Sequence, residues 1–177
     1  MELGMSNKIV EKEKLDKLLV LVPAALVERG ARLVTAESCT GGGIASALVS
    51  VPGSSLWFES SYVAYSNEAK QRMLGVDPEL FITGKVGAVS SEVVKQMVNG
   101  AVVASGADIG LSVSGIAGPS GGTKNKPVGT VWIAWKYGEH ERSDCFFFSG
   151  DRNEIRNLSV IAALAGVLDM LELDGAD

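Results

Sequence analysis

The sequence predicts a three-layer α/β/α sandwich on a mixed, mostly parallel sheet. Three observations carry that expectation. Strand-like and helix-like segments alternate through the first two thirds of the chain, which implies parallel strands joined by helical crossovers. Two later strand-like segments, 128–137 and 141–148, flank the polar turn Gly138-Glu139-His140 and add an antiparallel pair. The last periodic segment, 152–171, is apolar nearly all round at Val160-Ile161-Ala162-Ala163-Leu164-Ala165, as a sandwiched helix should be. A chain of 177 residues suits one domain over 1–177.

Taken in order, residues 1–10 are polar and read as loose. Leu15, Leu18, Leu19, Val22 and Leu26 then recur at helical spacing up to Arg29-Gly30, with Pro23 predicted to kink the helix. A strand at 32–36 leads into Glu37-Ser38-Cys39-Thr40-Gly41-Gly42-Gly43 and a helix at 41–50. The turn 51–55 precedes a strand over 57–65, where aromatic, small and β-branched residues alternate. Ser66 or Asn67 caps a helix that stops at Gly75, and Asp77-Pro78 opens a short helical stretch. Ser90 and Ser91 cap a helix presenting Val94, Met97, Val98, Ala101 and Val102 on one face. The strand 108–114 runs into a glycine- and proline-rich loop, 115–127; a loop of that length inside a compact domain carries function.

Composition narrows the function. The chain is 46% hydrophobic with a net charge of −5 and concentrates no basic face, which argues against nucleic acid as a partner. No apolar run reaches the roughly 18 residues of a membrane span, so the expectation is a cytoplasmic protein without a membrane partner. Cys39 and Cys145 form no CxxC pair, and no His/Asp/Glu cluster has metal-ligand spacing, so neither a metal nor a cofactor is expected. Cys145, beside Phe146-Phe147-Phe148, reads as a buried core thiol. A homo-oligomer is expected from the apolar stretch 160–167.

The glycine-rich turn after the first strand is the place where chemistry should start. Successive glycines at a strand-to-helix junction let the backbone approach a ligand and turn N–H groups outward, toward an anion or a developing oxyanion. Ser38 reads either as a helix cap or as a nucleophile. His140, the only histidine, lies in a polar turn, so a base of another type is required. Lys70 reads either as an exposed helix charge or as that base; in a first helical turn the dipole disfavours its ammonium. Tyr65 is either a half-buried strand aromatic or a proton relay. Arg152 opens the last helix and suits a bidentate grip on phosphate or carboxylate, with an ion pair to Asp151 or Glu154 as the alternative. Glu37 either binds a substrate hydroxyl or is simply solvated. Cys39 is either a helix-terminal thiolate or a packed thiol. Trp57, Phe58, Trp132 and Trp135 read as core.

Five motifs in order, Thr35-Ala36-Glu37-Ser38-Cys39-Thr40-Gly41-Gly42, Tyr65-Ser66-Asn67-Glu68-Ala69-Lys70, Gly87-Ala88-Val89-Ser90, Gly115-Ile116-Ala117-Gly118-Pro119 and Lys126-Pro127-Val128-Gly129-Thr130-Val131, resemble the CinA C-terminal domain family. The resemblance covers about residues 11–171. It implies a CinA-like fold and a nicotinamide-nucleotide amidohydrolase, which deamidates nicotinamide mononucleotide to nicotinate mononucleotide and ammonia in pyridine-nucleotide salvage, without metal or cofactor. It further implies Ser38 as nucleophile with Lys70 and Tyr65 as its base partners, and Arg152 in the substrate site. Glu37, Thr40, Gly41, Gly42, Gly115 and Gly118 join Arg152 as expected substrate contacts. The chain departs from the family pattern at Ser120, where another glycine is expected.

Overall fold

The computed structural model describes residues 2–83 and 85–173. Helix α1 (Glu2–Arg29) is followed by β1 (Leu33–Glu37), α2 (Gly43–Val49), β2 (Phe58–Val63), α3 (Asn67–Leu74), α4 (Ser91–Ser105) and β3 (Ile109–Gly115). The hairpin β4 (Thr130–Tyr137) and β5 (His140–Phe147) and the long α5 (Arg152–Leu173) complete the chain, with 3₁₀ turns at Ser54–Leu56 and Pro78–Phe81. The sheet order is β2-β1-β3-β4-β5. β1 pairs in parallel with β2 and β3, whereas β3–β4 and β4–β5 are antiparallel, so only β4 runs against the others.

Every residue of β1 is buried, because helices cover both faces of the sheet. Leu33 joins a core cluster with Val22 and Leu26 of α1, Ile44 and Leu48 of α2, and Leu164 and Val167 of α5. Val34 and Ala36, on the alternate face, pack with Leu74 of α3 and Val93, Met97 and Ala101 of α4. The chain leaves β1 for β2 through α2 on one face and then crosses back to β3 through α3 and α4 on the other. β1 is therefore the point where the winding reverses, and in such sheets ligands bind beyond the carboxyl ends of the strands at that point.

Several expectations change. The helix begins at Glu2, so the segment expected to be loose over 1–10 is helical from its second residue; Gly4 is the one poor helix former there, and no proline interrupts. Pro23 lies inside the helix, as expected, with Val22 and Leu26 fully buried on either side of it. The hairpin turn is Gly138-Glu139 alone, since His140 already pairs with Tyr137. Cys145 is half-buried on the outer strand β5. Within the stretch 160–167, Val160, Ala163, Leu164 and Val167 are buried in the core, whereas Ile161, Ala162 and Ala165 are partly exposed. Apolar side chains that do stand exposed lie elsewhere, at Val20, Val27 and Leu56.

Trp135 closes the core between β4 and α5. It is fully buried, and its indole N–H donates to the Ala163 carbonyl at 2.8 Å. A Cβ on Gly166 would lie 2.3 Å from that ring. Gly166→Ala is therefore expected to destabilise the fold by roughly 1–3 kcal/mol, the usual cost of overpacking a filled core, read as a lower denaturant midpoint at unchanged slope. An unchanged midpoint would show that α5 is free to shift off the sheet.

Candidate active site

The register of the three parallel strands gathers the site. Glu37 pairs with Val63 on one side and Val113 on the other, so the residues following β1, β2 and β3 emerge together. The Ser38 N–H donates to the Val113 carbonyl (3.0 Å) and the Ala64 N–H to the Glu37 carbonyl (2.9 Å), tying the three strand ends to one another. Beyond them lies a cavity of about 220 Å³ lined by Ser38, Cys39, Tyr65, Lys70, Ser114 and Arg152, among others. Ala117 and Arg152 are shared with an adjoining cleft of about 380 Å³ that opens toward Pro119, Val128 and Asn153. Larger hollows, of about 420 Å³ against α1 and about 520 Å³ beside Trp57, include neither Ser38 nor Lys70.

Lys70 is carried into this cavity by the start of α3. Ser66 caps that helix, its hydroxyl accepting from the Ala69 N–H at 3.0 Å, and Gly75 ends it in the left-handed conformation. The lysine is 1% exposed, not a solvated helix charge. Its Nζ donates to Ser38 Oγ (2.9 Å), to the Ala64 carbonyl (3.0 Å) and to the Tyr65 carbonyl (2.9 Å). Burial pulls its pKa down from 10.5 to about 8. Removal from water, not the helix dipole invoked from sequence, lowers it.

Two carbonyls and one serine hydroxyl surround a tetrahedral nitrogen. When Lys70 is neutral, its two N–H bonds satisfy the two carbonyls, and the lone pair is left facing Ser38 Oγ. Nothing in the local sequence of α3 reveals this, because the carbonyls belong to the backbone that precedes the helix. Tyr65 also differs from expectation: its backbone serves Lys70, while its hydroxyl accepts from Arg152 Nη2 at 3.4 Å and makes no hydrogen bond with Ser38 or Lys70. The ring, 62% exposed, stands on the cavity wall. Arg152 Nη1 donates to the Gly118 carbonyl at 2.8 Å, and the arginine forms no ion pair with Asp151 or Glu154. Asp151 instead caps α5, accepting from the Asn153 and Glu154 N–H groups, while Glu154 accepts from the Asp151 N–H.

Glu37, expected as a substrate contact or a solvated acid, is neither. It is fully buried, and its carboxylate accepts from the Ile44 N–H (3.0 Å), the Ala45 N–H (2.8 Å) and the Ser61 hydroxyl (3.3 Å). It thus satisfies the amino end of α2, where a carboxylate is favoured by free N–H groups. The Gly41 N–H donates to the Ser38 carbonyl and the Gly43 N–H to the Thr40 carbonyl, so these two N–H groups of the turn are taken up within the chain. Gly41 and Gly42, at φ of 60° and 88°, serve the tight reversal behind Ser38 and do not line the cavity. Thr40 is fully buried and also off the cavity wall, its hydroxyl without a partner. Gly115 does line the cavity, and Gly118 acts through its carbonyl on Arg152. Cys39 is a packed thiol whose pKa burial pushes up to about 12. The residue that sequence reasoning missed is Arg156, which reaches the Thr40 carbonyl with Nη2 at 2.6 Å; its spacing of four from Arg152 was the available signal.

Replacing Glu37 by Gln turns one of two acceptors into a donor facing a buried N–H. The expected loss is about 1–3 kcal/mol of stability, measured by denaturant unfolding, together with reduced activity because the turn behind Ser38 loosens. Equal stability of the variant would mean that the amino end of α2 finds other acceptors.

Residues 15–171 match the CinA C-terminal domain family. Nicotinamide-nucleotide amidohydrolase PncC from Pseudomonas putida is 58% identical over 140 residues, covering 79% of this chain and 86% of that protein. The PncC of Escherichia coli K12 is 48% identical over 154 residues, 85% of this chain and 91% of that protein. Among solved structures, a competence-damaged protein (CinA) superfamily member from Klebsiella pneumoniae superposes with a TM-score of 0.84 at 37% identity, covering 89% of this chain and 98% of its own.

Proposed function

The chain belongs to the CinA C-terminal domain family, and from that premise we propose that it is an amidohydrolase converting nicotinamide mononucleotide to nicotinate mononucleotide and ammonia. Two named relatives at 58% and 48% identity support the substrate. The observation that carries the mechanism is the buried Lys70 amine, held by two backbone carbonyls with its third position on Ser38 Oγ. The cavity takes the carboxamide and ring, beside the exposed face of Tyr65; the adjoining cleft past Arg152 takes the ribose phosphate, a charged group that suits a guanidinium with no carboxylate partner among the described residues.

Ser38 Oγ attacks the carboxamide carbon while neutral Lys70 accepts the hydroxyl proton. The oxyanion forms beside the Cys39 N–H, which follows the nucleophile and has no backbone acceptor among the described residues, the position that supplies an oxyanion donor in other serine hydrolases. Collapse of the tetrahedral adduct breaks the C–N bond as Lys70 returns its proton to the departing nitrogen, releasing ammonia. Water then attacks the acyl-serine, Lys70 takes its proton, and that proton restores the Ser38 hydroxyl as nicotinate mononucleotide leaves. The reaction fits a place in pyridine-nucleotide salvage.

Ser38→Ala and Lys70→Met are each expected to lower ammonia release from nicotinamide mononucleotide by about 10³-fold or more, with both proteins still folded by circular dichroism. A Ser38→Ala variant that keeps its rate would remove the serine mechanism.

The base must be unprotonated, so kcat/KM should rise about tenfold per pH unit below pH 8 and level off above it. The same shift appears in stability. Between about pH 8 and 9 the unfolded chain keeps the Lys70 proton that the folded one has released, so stability rises with pH there. Cys39, raised from 9.0 to about 12, adds the opposite slope above pH 9. Urea unfolding at pH 8 and pH 9 should show the rise in the wild type and lose it in Lys70→Met; an identical slope in both would show that Lys70 titrates as an exposed amine.

A further inference from the structure

We infer that Arg156 is a positioning residue for the nucleophile, acting through the Thr40 carbonyl. The inference rests on the reading of Ser38 as the nucleophile. Arg156 lies one turn beyond Arg152 on α5, on the same side of the helix. The two guanidiniums diverge: Arg152 reaches Gly118 and Tyr65 across the mouth of the cavity, whereas Arg156 reaches back to the turn that carries Ser38.

That turn needs an external anchor. Three consecutive glycines follow Thr40, two of them in the left-handed region, and glycine adds backbone freedom that something must remove. The amino end of α2 is held from one side by Glu37. On the other side the Thr40 hydroxyl makes no hydrogen bond, so the anchor falls to its carbonyl, which accepts from the Gly43 N–H at 3.2 Å and from Arg156 at 2.6 Å. A bond from a charged donor is about twice as strong as a neutral one. The guanidinium also lies against the turn itself, since a Cβ on Gly41 would be 3.7 Å from Nη2. Among the described residues Arg156 has no carboxylate within ion-pair distance, so its charge is directed at this carbonyl without competition. Ser38 is two residues before Thr40, and the Gly41 N–H closes the turn onto the Ser38 carbonyl. Releasing Thr40 therefore releases Ser38 relative to Lys70, and a misplacement on the order of 1 Å costs about 10²-fold in rate.

The test compares Arg156→Met and Arg156→Lys with the wild type. It measures ammonia release from nicotinamide mononucleotide and from its dephosphorylated riboside, together with the rate at which phenylmethanesulfonyl fluoride labels Ser38, followed by mass spectrometry. Positioning predicts that the Met variant loses roughly 10- to 100-fold in kcat at nearly constant KM, by the same factor for both substrates, and is labelled more slowly in proportion. The Lys variant, which restores one charged donor, should recover much of each loss. An unchanged kcat with a raised KM confined to the phosphorylated substrate would overturn the inference and make Arg156 a phosphate contact. Unchanged kinetics and labelling would overturn it outright. If the wild type releases no ammonia but Ser38 labelling still depends on Arg156, the amidohydrolase reading fails and the positioning role stands.

Discussion

The burial of one lysine amine organises the site. An ammonium taken out of water is costly unless it is fully hydrogen-bonded, and Lys70 meets this condition with three acceptors in the space of one side-chain terminus. Two of them are carbonyls from the segment that joins β2 to α3, so the backbone path out of β2 and the protonation chemistry of the site are a single feature. The same desolvation that lowers the pKa of the amine also makes it a liability to the fold. Such tension is common where a structure keeps a polar group for chemistry and not for stability.

A second constraint is where the chain spends its free N–H groups. The turn after β1 and the amino ends of α2 and α5 are each positions that could bind an external anion. Here Glu37 serves α2, the Ser38 carbonyl takes the Gly41 N–H, and Asp151 caps α5, which holds its carboxyl below the ordinary value through the Glu154 N–H. These N–H groups thus serve the protein's own acceptors. Arg152 is held at the cavity by the Gly118 carbonyl and the Tyr65 hydroxyl.

The sheet supplies the frame for both. Because winding reverses at β1, the strand on which Ser38 rides is flanked by two parallel neighbours, and the ends of all three open to the same side. The helices that fill each face then bring in what the strands cannot: α3 carries Lys70 from one face and α5 carries Arg152 and Arg156 from the other. A serine and a lysine 32 residues apart meet at 2.9 Å through this arrangement.

Much of this was legible in the sequence. Periodicity, glycine and proline punctuation and cap residues located nearly all elements to within a few residues, and the ordered motifs around Ser38 and Lys70 marked the family and the residues that meet. The roles of Glu37, Thr40, Gly41 and Gly42 were not legible, and Arg156 passed unnoticed beside Arg152. The difference is one of range. Turn chemistry and helical spacing are settled by neighbours within a few positions, so the order of residues alone determines them. Whether a carboxylate faces water or a buried helix end, whether a lysine is solvated or enclosed by carbonyls, and which carbonyl an arginine finds depend on strand register and layer packing. Those bring together groups as far apart as Thr40 and Arg156, and only the folded chain decides them.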